Sequence, residues 1–160
     1  MNWRDYIQKN IFDKVEMPNT YFDSRFSKSG ETIKMKGYYN MKSSFMPPTL
    51  AGSAGEIISS LQDMKKFLIA WQKGDLYANP KTLQKQKTNG YHKMYDGVEQ
   101  LKYGYGVMNI SGFYGHGGQT FGFQSYATYN PETKYLYVIA TNDATVAAMS
   151  LFLVLENLTF

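Results

Sequence analysis

Tyr114-Gly115-His116-Gly117-Gly118-Gln119-Thr120-Phe121-Gly122-Phe123-Gln124-Ser125 sets one histidine among four glycines, inside a run that otherwise reads as strand. Packing alone does not explain it. Glycine brings no side chain to a sheet, and within a strand it marks a bulge or a place where a ligand or another backbone comes close. His116 is one of only two histidines in the chain. An imidazole flanked by glycines points to a binding edge with reachable backbone donors. The plainer alternative is a glycine-rich bend that carries a surface histidine.

Strand character continues on both sides of this stretch. Residues 103–110, 112–116, 123–129 and 135–141 are rich in Tyr, Val, Ile and Phe and predict four strands. Asn130-Pro131-Glu132-Thr133-Lys134 reads as a tight turn between the last two, since Asn and Pro favour turn initiation. Residues 144–158 are apolar on nearly every side until Glu156, which predicts a helix buried against something broad.

Toward the N-terminus, Trp3, Ile7, Ile11 and Phe12 recur at helical spacing and predict a helix over 2–11. Residues 13–55 lose periodicity and carry Pro18, Gly30, Gly37, Pro47, Pro48 and Gly52. They read as a loop-rich connection with one or two short strands near 32–39, a length that usually means functional loops or missing context. Ser60 and Asp63 fit a capping box, and Leu61, Met64, Phe67, Leu68 and Trp71 form an apolar stripe ended near Gly74. This predicts a helix over 60–72. A shorter one is expected over 80–87, stopped by Asn89-Gly90. The expected class is α+β: one domain over 1–160, with an antiparallel sheet of about three to five strands over 103–142, backed by the C-terminal helix.

Composition removes several functions. At 160 residues, with 43% hydrophobic and 19% charged residues, the chain reads as one ordinary globular domain. The net charge of +4 comes from dispersed lysines, with no arginine-rich run, so a solvated surface is expected rather than a nucleic-acid site. With no cysteine, disulfides, thiolate nucleophiles and Cys-based zinc sites are excluded. His92, in a polar loop-like context, reads as a surface histidine, and no third ligand at metal spacing joins it to His116; no metal or other cofactor is expected. Gly104-Tyr105-Gly106 lies within a strand pattern and lacks the helix that a dinucleotide fingerprint needs. Met1 to Tyr6 show no basic and then apolar run, so no signal peptide is expected here, and the compartment stays open. The apolar stretch from Thr145 to Leu155 is too short to span a bilayer.

Four segments then fall in a telling order: Ile11-Phe12-Asp13-Lys14-Val15-Glu16-Met17-Pro18-Asn19-Thr20, Ala54-Gly55-Glu56-Ile57-Ile58-Ser59-Ser60-Leu61-Gln62-Asp63-Met64, Tyr103-Gly104-Tyr105-Gly106 and His116-Gly117-Gly118. They resemble the I-F-x-P-L-G-M-x-x-T, A-G-G-L-x-S-T-A-x-D-M, Y-G-Y-G and Lys-Thr-Gly or His-x-Gly segments of the serine β-lactamase-like, penicillin-recognising hydrolases. That family includes class C β-lactamases, D-Ala-D-Ala carboxypeptidases, D-aminopeptidases and esterases. Phe121-Gly122-Phe123-Gln124-Ser125 and Tyr137-Val138-Ile139-Ala140-Thr141-Asn142 stand where its P-G-F-x-S and V-V-x-x-x-N strands would lie. The resemblance covers nearly the whole chain and implies the C-terminal part of that fold. It implies that His116 lines the groove opposite a catalytic serine, contacting a substrate carboxylate or assisting proton transfer. Gly117 and Gly118 would let the substrate lie close, and the Gln119 backbone N–H would be an oxyanion-hole donor, worth about 3 kcal/mol in a complete site. His-Gly-Gly in place of Lys-Thr-Gly points to the carboxypeptidase, D-aminopeptidase or esterase branches.

No serine in the chain has a lysine three residues on, and Thr82-Leu83-Gln84-Lys85 is a lysine-rich surface pattern. Tyr38-Tyr39-Asn40 and Tyr77-Ala78-Asn79 spell Tyr-x-Asn, but the family places that motif ahead of the Ile11-Phe12 segment. The expectation is a chain that begins past the first two motifs, holds one wall of the groove and is inactive alone. A completed groove would take a small peptide, ester or β-lactam-like substrate. The alternative is a non-catalytic binding or self-associating module. Strand 135–141 would then present an open apolar edge, inviting a homo-oligomer or a complementing N-terminal half.

Overall fold

The computed structural model describes residues 1–22, 36–40, 42–44, 48–88, 92–94 and 99–157. Trp3–Ile7, Gln8–Phe12 and Asp13–Val15 run on as one helical segment, α1, whose middle stretch is π-wound. It passes the end expected at residue 11 because Asp13, Lys14 and Val15 carry no breaker, and it stops where Glu16 turns left-handed at φ 58. Phe12, Met17 and Phe22 form a small core beneath it. Two-residue strands β1 (Tyr21–Phe22) and β4 (Ile57–Ile58) pair antiparallel, and β2 (Gly37–Tyr39) and β3 (Lys42–Ser44) form a separate ladder. Of the strands expected near 32–39, β2 lies at 37–39; residues 32–35 lie outside the described residues. A 3-10 segment covers Pro48–Ala54.

Helix α2 (Leu61–Lys73) starts as its capping box predicts, with Ser60 Oγ accepting the Asp63 N–H at 3.1 Å, and ends at Gly74, φ 83. Helix α3 follows at Pro80–Thr88; its expected stop at Asn89-Gly90 lies outside the described residues. The main sheet is antiparallel, in the order β10-β9-β8-β7-β6-β5. Its strands are β5 (His92–Lys93), β6 (Leu101–Gly104), β7 (Val107–Ile110), β8 (Phe113–Thr120), β9 (Phe123–Tyr129) and β10 (Leu136–Thr141).

Six strands exceed the three to five expected: a hairpin turns the four expected strands into five, and β5, in a stretch expected as polar loop, is the sixth. The single strand read over 103–110 is a hairpin. Tyr105 (φ 49) and Gly106 (φ 72) form a two-residue turn in which both residues are left-handed, the type I′ geometry that matches strand twist. Ser111 (φ 50) and Gly112 (φ 86) repeat it between β7 and β8. Alternation cannot reveal a reversal when the turn is only two residues long and one of them is Tyr.

The last helix, α4, spans Ala148–Leu155 and not 144–158. Asp143 Oδ1 accepts the Thr145 N–H at 2.9 Å and its hydroxyl at 2.7 Å, while Ala144 N–H donates to Tyr38 O at 2.9 Å. Those bonds hold residues 143–146 in a turn before the helix can begin.

Helices cover both faces of the sheet. Tyr137 and Ile139 of β10 pack toward the cluster of Phe113, Tyr126 and Phe152 under α4. Leu136 and Val138 of the same strand pack toward Leu68 and Trp71 of α2. Successive side chains of a strand point to opposite faces, so a continuous apolar run is the pattern of a strand covered on both sides. Among the described residues no helix is long and apolar enough to cross a membrane.

Candidate active-site edge

The four residues singled out in the sequence, His116, Gly117, Gly118 and Gln119, lie in succession on β8. There the sheet changes. β9 follows β8 from Tyr114 to Thr120, but β7 pairs with it only as far as Gly115. The β6–β7 turn at Tyr105-Gly106 takes the chain away, so from His116 onward no described strand pairs with the β7 side of β8.

Turn geometry says which backbone groups face that open edge. The two-residue turn closing at Ile110 and Phe113 bonds the Phe113 N–H toward β7, and the one closing at Thr120 and Phe123 directs Thr120 toward β9. Backbone direction alternates along a strand. Both turns therefore give one answer: Thr120, Gly118 and His116 face β9, while Gly115, Gly117 and Gln119 face the other way. The N–H groups of Gly117 and Gln119 point off the open edge.

His116 is exposed and held by two contacts. Its Nδ1 meets the carbonyl oxygen of Gly117, and its Nε2 lies 3.1 Å from the Tyr103 hydroxyl. The Tyr103 ring stands edge-on to the imidazole, with centroids 5.6 Å apart. In the sequence Tyr103 stands only as the first residue of the Tyr103-Gly104-Tyr105-Gly106 segment, with nothing to say that it meets His116. It comes within reach because β6 folds back on β7, in the row Tyr103, Met108, Gly115.

The glycines now separate. At Gly115 an added Cβ would lie 2.0 Å from Ala127 O and 2.6 Å from Thr128 Cα, so the close crossing of β9 alone requires glycine. Gly122 is left-handed at φ 88 and lies against Gly37, with a built Cβ 2.7 Å from its backbone. At Gly117 the nearest atom is Tyr126 Cδ2 at 3.3 Å, and at Gly118 only Ser125 Oγ, at 3.1 Å. Packing accounts for Gly115 and Gly122. It leaves Gly118 largely unexplained.

Two buried acids, Asp63 and Glu56, fix the surrounding scaffold. Asp63 Oδ2 accepts the Asn19 N–H at 2.7 Å and the Thr20 hydroxyl at 3.0 Å, tying the turn after α1 to the start of α2. Glu56 is fully buried and receives Arg4 through two bonds, Nη2 to Oε2 at 2.8 Å and Nε to Oε1. The guanidinium hydrogen bonds hold the Glu56 carboxyl below its ordinary range. The two Tyr-x-Asn strings make bonds within the scaffold. The Tyr77 hydroxyl accepts from Trp71 Nε1 at 2.8 Å, and Asn79 Oδ1 accepts the Lys81 N–H at the start of α3 at 2.9 Å. Tyr38 on β2 is tied through its backbone to Asn142 O and Ala144 N–H, and Asn40 sits at the exposed turn after β2. His92 is exposed on β5, and among the described residues no group of three His, Asp or Glu could hold a metal ion.

An antiparallel sheet with helices on both faces is the fold that the comparisons with known proteins match. Residues 1–151 match the family model described as Beta-lactamase, and the chain belongs to that family. Its fold is similar to D-amino acid amidase from Ochrobactrum anthropi SV3, with 24% identity and a TM-score of 0.70 over 88% of this chain and 47% of that one. It is also similar to an octameric penicillin-binding protein homologue from Pyrococcus abyssi, with 22% identity and a TM-score of 0.78 over 99% of this chain and 39% of that one. A penicillin-binding protein from Bacillus halodurans matches at 21% identity and a TM-score of 0.75, over 98% and 50%. The chain spans half the length of these solved structures or less. No curated protein matches it significantly.

Proposed function

We propose that this chain is the C-terminal part of a serine hydrolase acting on D-amino-acid peptides, amides or esters, and that it supplies one wall of the substrate groove. The observation that carries this is the open edge of β8, where β7 stops at Gly115 and the Gly117 and Gln119 N–H groups face outward beside His116. In this reading the Gln119 N–H stabilises the developing oxyanion, and His116 faces the nucleophile across the groove. Gly117 and Gly118 admit the substrate backbone. The D-amino acid amidase and a D-stereospecific amidohydrolase from Streptomyces among the similar folds support this choice of substrate. The nucleophile and its base come from a Ser-x-x-Lys segment, and the chain has none, so taken alone it does not turn over.

A fluorescent penicillin or fluorophosphonate probe tests both halves of the reading. The 160-residue chain alone should stay unlabelled. Joined to an N-terminal partner carrying Ser-x-x-Lys and Tyr-x-Asn, it should support labelling that falls when His116 is replaced. Covalent labelling of the chain alone overturns the proposal.

One observation favours a second reading, a self-associating module. Among the described residues β10 is an edge strand of uncharged residues, Leu136–Thr141, and Leu151, Val154 and Leu155 of α4, which packs on it, are exposed. Such an edge pairs readily with another chain. The similar octameric homologue is consistent with assembly. Light scattering at micromolar concentration should give a mass above the monomer; a sharp monomer mass removes this reading.

A further inference from the structure

We infer that Tyr103 is a positioning residue for His116: its hydroxyl and the Gly117 carbonyl fix one tautomer of the imidazole along the open edge of β8. A carbonyl oxygen only accepts, so the contact of His116 Nδ1 with Gly117 O places the ring proton on Nδ1. Nε2 of the neutral ring is then an acceptor, and the Tyr103 hydroxyl at 3.1 Å is its donor. The Gly117 carbonyl is available to Nδ1 because it faces away from β9, on the side that β7 has left. Tyr103 reaches Nε2 because the Tyr105-Gly106 turn folds β6 back beside β7.

The unconstrained histidine side chain favours the opposite tautomer, with the proton on Nε2. The two contacts therefore reverse an intrinsic preference, and the edge-on ring of Tyr103 limits rotation of the imidazole. A ligand entering the groove meets a ring whose basic nitrogen is already covered by a hydroxyl. It must share or displace Tyr103 before it can use His116 as an acceptor. What the ring is positioned for rests on the groove reading above; the tautomer does not.

The test is nitrogen-15 NMR of the histidine rings in the free chain, at a pH where the imidazoles are neutral. Loss of one signal set in His116→Gln distinguishes His116 from His92. Wild-type His116 should show a protonated Nδ1 and an unprotonated Nε2. Tyr103→Phe, which keeps the ring and removes only the hydroxyl, should move the population toward Nε2–H, with the melting temperature confirming that the variant is folded. A wild-type ring protonated on Nε2 overturns the inference without any variant. So does a folded Tyr103→Phe protein that keeps the wild-type tautomer. Neither result depends on probe labelling, so this inference and the hydrolase reading fail separately.

Discussion

Replacing Gly115 and Gly118 by alanine, one at a time, separates the glycines that the fold needs from those it does not. At Gly115 the new Cβ would sit 2.0 Å from Ala127 O, 2.6 Å from Thr128 Cα and 2.8 Å from Thr128 Cβ. The first two are backbone atoms of the paired strand, and no side-chain rotation relieves them. Since Cβ contacts under 3.0 Å are essentially never seen, β8 and β9 must separate by about 1 Å at that rung. Overpacking of this kind costs about 1–3 kcal/mol, and a rigid backbone obstacle belongs at the upper end. For a protein of this size about 3 kcal/mol corresponds to a melting temperature lower by ~6–12 °C. Gly118→Ala meets only Ser125 Oγ at 3.1 Å, the end of a short exposed side chain that can turn away. Its stability should change by no more than about 0.5 kcal/mol in either direction. Thermal unfolding followed by circular dichroism reads both. If the substrate lies against Gly118 as proposed, Gly118→Ala should nonetheless reduce probe labelling in the completed groove. Equal destabilisation by the two substitutions, or an unchanged melting temperature for Gly115→Ala, refutes the argument from strand crossing.

Two further outcomes concern the scaffold. Phe152 is fully buried, with the rings of Phe113, Tyr126 and Tyr137 at 5.1, 5.0 and 5.5 Å. Phe152→Ala should cost about 3–5 kcal/mol, seen as a lower denaturation midpoint in urea; a loss under ~1 kcal/mol would mean α4 does not close the core. The Arg4 partner depresses the Glu56 carboxyl below its ordinary 4.5, so its stabilisation is complete above that pH and is lost as pH falls through the folded value. Glu56→Gln should therefore be less stable than wild type near neutrality, with the gap in melting temperature narrowing below about pH 4.5. A gap that stays constant with pH would show that the pair is not the titrating element.

Local patterns made much of the fold legible. The Ser60 cap and Gly74 stop bracket α2 as read, because capping depends on residues a few positions apart. The Asn130 turn also formed as read: Asn130 Oδ1 accepts the Glu132 and Thr133 N–H groups at 2.9 and 3.1 Å. The β6–β7 hairpin has no local signature because Tyr105 occupies a left-handed position that usually holds Asn or Gly. The start of α4 was misplaced because its apolar run begins before the Asp143 turn releases the helix.

The sequence by itself determined the family, the α+β class and the capped helix α2, all of them carried by order and local chemistry along the chain. Only the tertiary structure decided which glycines serve the fold, which backbone N–H groups are exposed, and that Tyr103 meets His116. Those facts depend on strand register and on where β7 stops, and register joins residues whose separation along the chain leaves no local pattern to read.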